Sequence, residues 1–435
     1  MKKKVYKNIQ ETVYYTTLSN KMKVYLLYKP GFTEKTAFIA TKFGHFDSNR
    51  FITVDGKKVK IPYGAAHFLE HRMFSVDGAD ASELFALYGA QCNAYTTYEK
   101  TAYYFSTQRN FYKCLEVLLN MMNNFSSTDK QIENEKSIII QEMNMYKENP
   151  SHLLNSTAFE QAYIKHPIRH DIIGTEKSIK NTNAKTLKSI FETFYDPSNL
   201  SLVICGDINH IELEKFLNDH LLTQKNLKRI LPIKINEPKE VKSEYKEIFL
   251  STIKIPRFAL VYKLNAIKNK KEKDKMYFCY NLILDYLFSS SGKLSERWLQ
   301  DGILTSLLDY SISSNIDLDC IIFYNINTNI QEVVSNIKKV FNSQNILNIT
   351  QTEFDDLKKT HFGATIRAYE SVMGLSSYYV ADLFTSSSDF FDEVEEVKNL
   401  TIQDMEEAFK KICDAATSLI ILKGEWLWRV LELIL

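Results

Sequence analysis

Cysteine is scarce and scattered. Six occur in 435 residues, at 92, 114, 205, 279, 320 and 413, and no two form a C-x-x-C pair. That argues against a disulfide framework. Several lie in apolar segments, such as Cys205 in SLVICGD, so they read as reduced, buried thiols in a cytoplasmic protein. Charge of one sign is missing too. Lys and Arg number 54 against 53 Asp and Glu, a net +1, which gives no case for nucleic acid or an acidic membrane as partner. The lysines at 268, 270, 271, 273 and 275 are broken up by Glu272 and Asp274, so they read as a solvated approach to a helix. No apolar run approaches the roughly 20 residues needed to span a bilayer. The start MKKKVYKNIQETVYY lacks the apolar stretch of a secretory signal. The apolar tail Trp426–Leu435 is too short to cross a membrane and reads as packing on a partner or on its own domain. No G-x-x-x-x-G-K-[ST] occurs, so nothing points to nucleotide use, and no nucleophile-plus-base motif stands out.

What is present is concentrated in Gly64–Phe74, GAAHFLEHRMF. His, Phe, Leu and Glu contain no helix breaker, and the small Gly64-Ala65-Ala66 leads in, so the spacing predicts a helix. His67 and His71 are four apart and share a face, from which both imidazoles can reach one ion. Glu70 lies on the same side and can touch a water on that ion without being a ligand. This is the reverse of the commoner H-E-x-x-H. With nine His in the chain, a chance occurrence is roughly a one-in-a-hundred event. His166 and His170 have the same spacing, but Pro167 disfavours a helix there. His152, His210, His220 and His361 stand singly and read as surface or capping residues.

A catalytic zinc takes three protein ligands and keeps one position open. The third is sought in Thr128–Asn149, which reads as a long helix with Asp129 near its start and Ile132, Ile139, Met143 and Tyr146 at helical spacing. Glu135 and Glu142 are seven apart, on one face. Glu142 follows Ile138-Ile139-Ile140, a run expected to bury that part of the helix. A carboxylate there is costly unless paired or metal-bound, so Glu142 is the candidate ligand. For Glu135 a solvated face is an equal alternative. Glu133 and Glu148 read as solvated.

Gly64–Pro150 resembles the core of the insulinase/pitrilysin family of metallopeptidases. Seventy residues separate His71 from Glu142, and Glu135 precedes Glu142 by seven. Between them, Gly89–Thr107 resembles the family's G-x-x-N-A-x-T-x-x-x-T-x-Y segment. The likeness runs on through Tyr195-Asp196-Pro197-Ser198-Asn199 and the strand Leu200–Gly206, then more weakly through the second half. It is nearest to the paired proteins of low-GC Gram-positive bacteria. The resemblance implies zinc on His67, His71 and Glu142, Glu70 as general base, and Glu135 as a carboxylate orienting a zinc-binding His. It implies that an extended peptide adds to the edge of the strand begun by Asn93, Ala94 and Tyr95. Read on its own residues, that strand packs Tyr95, Tyr103 and Phe105 in a core.

The family segment S-R-L-F…G-L-x-Y supplies an Arg and a Tyr that stabilise the oxyanion. The matching Ser289–Ser306 has Gly292 or Lys293 near the Arg, and Thr305 where the Tyr should stand. Arg297 lies four beyond Lys293. Resemblance to the two-subunit members of the family then implies a homologous partner subunit that brings both groups. The alternatives are a homodimer that uses Arg297 or another basic side chain, and a non-catalytic peptide-binding or structural subunit of a peptidase-like complex.

Length makes two domains the expectation. Strands are expected at Lys23–Tyr28, Thr36–Gly44, Asn93–Thr107 and Leu200–Gly206, then near Glu244–Ser251, Phe258–Lys263, Thr305–Ser311, Cys320–Ile326 and Ser418–Leu422, with helices within Gln351–Thr385. Each half reads as a mixed sheet backed by helices, an α+β layout. The expected division is a zinc peptidase domain at 1–225, a polar, Pro-containing linker at 226–244 and a non-catalytic domain of similar fold at 245–435. By resemblance, two such domains and a second subunit enclose a chamber for short or unfolded peptides.

Overall fold

The computed structural model describes residues 1–76, 79–225, 235–315, 317–342, 344–384 and 390–424. Part of the expected linker (226–234) and the apolar tail Trp426–Leu435 lie outside them. The chain forms two compact units, each built from separated segments. The first comprises Met1–Met143, His170–Lys234 and Thr365–Phe384; the second comprises Asn144–Arg169, Ile235–Ala364 and Thr385–Leu435.

The first unit holds strands β1 (Lys2–Tyr6), β2 (Glu11–Thr17), β3 (Lys23–Tyr28), β4 (Lys35–Thr41), β5 (Phe51–Val54), β6 (Lys57–Lys60), β7 (Ser75–Val76), β8 (Ala79–Asp80), β9 (Ala90–Thr96), β10 (Thr101–Thr107) and β11 (Leu200–Gly206). Seven of them make one sheet in the order β1-β2-β3-β11-β4-β10-β9. Only β3 and β11 pair in parallel. Every residue of β11, LSLVICG, is buried, as expected of a strand covered on both faces.

The second unit holds β12 (Tyr245–Phe249), β13 (Arg257–Leu264), β14 (Asp309–Asn315), β15 (Leu318–Ile326) and β16 (Ala416–Lys423), in the order β12-β16-β13-β15-β14. Here β12 and β16 are the parallel pair. This sheet repeats β3-β11-β4-β10-β9 strand for strand, in chain order and in pairing sense. The expected α+β pair of like-folded halves is what the chain forms, although no close sequence repeat survives.

Two strand expectations need correction. Asn93–Thr107 is a hairpin, not one strand. Thr97 N–H donates to Lys100 O at 2.8 Å, and Thr97 Oγ1 accepts from the Glu99 and Lys100 amides, which closes the turn. Strand β14 starts at Asp309, beyond the expected Thr305, because Asn325 Nδ2 takes the Ser306 and Leu307 carbonyls out of any ladder. The amino-terminal hairpin β1–β2 adds to the expected strands; Lys2, Lys3 and Lys4 mask the pattern of β1, whereas β2, ETVYYTT, carries the β-branched and aromatic residues of a strand.

The helices that matter for the site belong to the first unit: α1 (Ala65–Met73), α2 (Ala81–Leu87), α3 (Phe111–Asn123) and α4 (Asp129–Glu148), whose last turn passes into the second. Helix α5 (Pro150–Ala162) packs on β13 and β16 of the second unit, and helix Val372–Asp382 packs on β4 and β11 of the first. Each half of the sequence thus lends a helix to the unit built mainly from the other. Thr36 Oγ1 and Ser376 Oγ, 2.6 Å apart and buried, pin Val372–Asp382 to its sheet. Lys100 pins its end. The buried Lys100 Nζ donates to the Val380 carbonyl at 2.8 Å and to that of Ala381, where a cation also suits the helix dipole. Lys100→Met leaves both carbonyls without this donor and is expected to cost about 1–3 kcal/mol. A urea unfolding midpoint equal to wild type would show that the helix is held without it.

Candidate metal centre

The first helix of the site starts where only glycine fits. Gly64 has φ +82°, and a Cβ there would lie 2.3 Å from Ile173 O. From that start α1 runs through the motif, burying Ala65, Ala66, Phe68, Leu69 and Met73. The opposite side carries His67, Glu70 and His71. Helix α4 buries Ile132, Ile139 and Met143 and turns Glu135 and Glu142 to the same place. The Ile138–Ile140 run is not buried as a block: Ile139 is, whereas Ile138 is 52% exposed. Helical periodicity separates neighbours that composition lumps together.

His67, His71 and Glu142 offer donor atoms that all lie within 4.8 Å of one another. Glu142 Oε1 is 3.7 Å from His67 Nε2, and Glu142 Oε2 is 3.4 Å from His71 Nε2. Ligand bonds of about 2.0–2.2 Å at tetrahedral angles place donor atoms roughly 3.3–3.6 Å apart. The two carboxylate–imidazole spacings are near those a zinc-sized ion requires, and two imidazoles with one carboxylate are a donor set that zinc takes. Glu142 Oε2 is buried and, apart from the nearby His71 ring, finds no well-aligned hydrogen-bond donor among the described residues.

Charge balance points the same way. Burial alone would lower the His71 pKa, but the carboxylates of Glu135 and Glu142 outweigh it and raise the group to about 9. Burial opposes ionisation of Glu142, yet His67 and His71 hold it well below the usual carboxylate range. Glu135 is buried, which decides against the solvated alternative. Its Oε1 lies 3.0 Å from His71 Nδ1, and its Oε2 accepts from Arg72 Nη1 at 2.9 Å. Against the cost of burial, these two partners keep its pKa low.

Glu70 is held from the sheet. Thr96, the last residue of β9, donates from Oγ1 to Glu70 Oε2 at 2.6 Å. Behind it stand Thr101, whose hydroxyl donates to Phe43 O at 2.9 Å, and the buried pair Tyr103 and Tyr195, hydroxyl to hydroxyl at 2.7 Å. The Tyr195–Asn199 motif is thus structural: Asp196 Oδ1 caps its own turn by accepting from Ser198 N, and Asn199 Nδ2 donates to Phe194 O.

Asn93, Ala94 and Tyr95 lie on β9, the edge strand of the sheet. Asn93 Oδ1 accepts the Ala94 N–H at 2.8 Å, so that amide is engaged by its neighbour's side chain. Tyr95 is half-buried, with its ring near Tyr104, while Tyr103 and Phe105 are fully buried. Lys293, Arg297 and Thr305 belong to the second unit. There Lys293 Nζ donates to the Tyr286 hydroxyl, Arg297 pairs with Asp301 at 3.5 Å, and Thr305 Oγ1 donates to Ile326 O. Thr96 and Arg72 are the site residues that sequence reasoning missed. Each lies beside a motif residue, but its partner comes from another element.

Residues 60–176 match the family profile described as insulinase (peptidase family M16), and residues 181–361 match the one described as the peptidase M16 inactive domain. An uncharacterized zinc protease of Bacillus subtilis (strain 168), YmfH, is 30% identical over 93% of this chain and 95% of its own length. A crystallised M16-like protein of Alicyclobacillus acidocaldarius superposes with a TM-score of 0.86 at 24% identity, over 95% of this chain and 99% of the other. The periplasmic protease PqqL of Escherichia coli gives a TM-score of 0.72 at 16% identity, covering 96% of this chain but 48% of PqqL. Among the described residues no helix is long and apolar enough to cross a membrane.

Proposed function

Because the chain belongs to the insulinase family of zinc peptidases, family M16, we propose that it cleaves peptide bonds in short or unfolded peptides, with zinc held by His67, His71 and Glu142 and with Glu70 as general base. The observation that carries this reading is the convergence of three donor atoms within 4.8 Å next to a carboxylate that is not one of them. Zinc, when bound, supplies Lewis acidity toward a peptide carbonyl and toward water. The protein does the rest. Thr96 fixes Glu70 Oε2, which leaves Oε1 to take a proton from the attacking water and hand it to the departing amine. Glu135 holds His71 by Nδ1 and keeps Nε2 turned toward Glu142. An extended substrate pairs with the edge of β9 by its main chain at Asn93, Ala94 and Tyr95, displacing the Asn93 side chain from the Ala94 amide.

The site residues all come from the sequence's first half, so 1–225 supplies the zinc site, 226–244 serves as linker and 245–435 as the non-catalytic part of like fold, with helices Pro150–Ala162 and Val372–Asp382 exchanged between the two compact units. A homologous partner supplies the missing Arg and Tyr. Supporting this, Lys293 and Arg297 are engaged with neighbours of their own, and the fold occupies about half of the longer PqqL chain. All six cysteines are free thiols, which favours the reducing cytoplasm. The same occupied side chains favour, as a second reading, a non-catalytic peptide-binding subunit.

A mixed quenched-peptide library decides between the two readings, tested with the zinc-loaded chain alone and with its homologous partner. The expected result is cleavage of peptides and not of a folded protein, lost on chelation and restored by zinc. Zinc-loaded protein that cleaves nothing in either combination would leave the peptide-binding reading standing.

A further inference from the structure

The two candidate histidine ligands are not held alike. Among the described residues His67 Nδ1 is buried without a hydrogen-bond partner, whereas His71 Nδ1 meets Glu135. Of the two histidines, His71 is thus the one held through its second ring nitrogen, and that arm does not end at Glu135. Arg72, next to His71 on α1, places Nη1 2.9 Å from Glu135 Oε2 and Nε 3.2 Å from Ser127 Oγ, in the turn before α4. Both members of the ion pair are nearly buried, at 11% and 10% side-chain exposure.

A guanidinium beside a prospective dication site is unfavourable by charge alone, since like charges repel strongly away from bulk water. Its presence there calls for a compensating role, and the geometry supplies one. A glutamate's terminal torsion is soft and settles into broad wells. One hydrogen bond to an imidazole would leave the carboxylate plane free to swing. Here each oxygen has its own partner, His71 on Oε1 and Arg72 on Oε2, and Arg72 is itself anchored by Ser127. The planar, always-charged guanidinium presents these donors in a fixed fork, which a lysine cannot reproduce.

Resting on the zinc-site reading above, we propose that Arg72 is a positioning residue for the metal. It locks Glu135, so that His71 keeps its proton on Nδ1 and presents Nε2 to zinc in one orientation. Partners of this kind change metal affinity when removed, even though they never touch the ion.

The test is zinc affinity of the full-length chain, measured by competition with a chromophoric chelator, for wild type, Arg72→Met, Arg72→Lys, Glu135→Gln and the double variant Arg72→Met/Glu135→Gln. Arg72→Met is expected to weaken zinc about 10–100-fold, as is Glu135→Gln. The double variant should be no weaker than Glu135→Gln alone, because Arg72 acts through Glu135. Arg72→Lys should recover part of the loss. The visible bands of the Co2+-substituted protein should shift in Arg72→Met, which a purely structural role would not produce. Equal affinity of Arg72→Met and wild type overturns the proposal, as does a double variant in which the two losses add. Wild type that binds no zinc would overturn the zinc-site reading itself, a different failure from a wild type that binds while Arg72→Met matches it. Urea unfolding of the metal-free proteins separates misfolding from weak binding, and Arg72→Lys, which keeps the charge, remains informative if Arg72→Met does not fold.

Discussion

If the chain is the peptidase proposed, Glu70→Gln should keep its zinc and lose activity by about 100–10,000-fold, the usual contribution of a general base. At 1.36 kcal/mol per tenfold, that is about 2.7–5.4 kcal/mol of transition-state stabilisation. The substitution is chosen for what it preserves. A glutamine oxygen still accepts the Thr96 hydroxyl, which lies 2.6 Å from Glu70 Oε2. The carboxamide has nearly the same shape, so α1 and the two histidines on it stay in place. What disappears is the capacity to take a proton. Glu70 is not among the three residues whose donor atoms converge, so one zinc per chain should remain. Metal analysis and turnover on the same preparation read the two effects separately. If zinc is lost along with activity, Glu70 is part of the binding set and its assignment as base fails. If zinc and activity both persist, some other group moves the proton.

The readable part of this site was the part encoded by periodicity. His67, Glu70 and His71 sit on one helical turn, and Glu135 and Glu142 are two turns apart on another helix, so spacing alone aligned them. The repeated sheet was legible as well, because β11 and β13 are almost continuously apolar. What could not be read depends on contacts between elements distant in sequence. The turn between β9 and β10 is closed by the Thr97 hydroxyl, without the Asn-Gly or Gly that would mark a hairpin. Helix Val372–Asp382 joins the first unit through Ser376 and through a lysine some 280 residues earlier in the chain. Arg72 looks like an ordinary solvated helix residue until Glu135 and Ser127 arrive from α4 and the turn before it. Ile138 shows the limit from the other side. An apolar run of three residues on a helix need not be buried as a run, and only Ile139 faces the core.

Zinc affinity should climb steeply with pH, by about tenfold for each unit between pH 7 and 9, because binding releases a proton. The sign follows from His71. In the metal-free chain, burial pulls its pKa down, but Glu135 and Glu142 outweigh it and raise the group from 6.5 to about 9. Zinc takes only the neutral imidazole, so below about pH 9 a proton must leave before the ligand is available. At pH 7 calorimetry in buffers of different ionisation enthalpy should therefore count at least one proton released per zinc. Stability carries the complementary signature. A group whose pKa is raised on folding stabilises the fold fully below its unfolded value, near 6.5, and this contribution fades as pH rises through about 9. The stripped protein should thus lose stability across that window while the zinc-bound protein gains from tighter binding. The gap between their melting temperatures is expected to widen from pH 6.5 to 9. Glu142→Gln removes one of the two carboxylates that raise His71. It should weaken zinc at every pH and move the flattening of the affinity curve to lower pH. An affinity that stays constant from pH 7 to 9 would mean that His71 is already neutral in the free protein, and with it would go the picture of a carboxylate-clamped imidazolium waiting for metal.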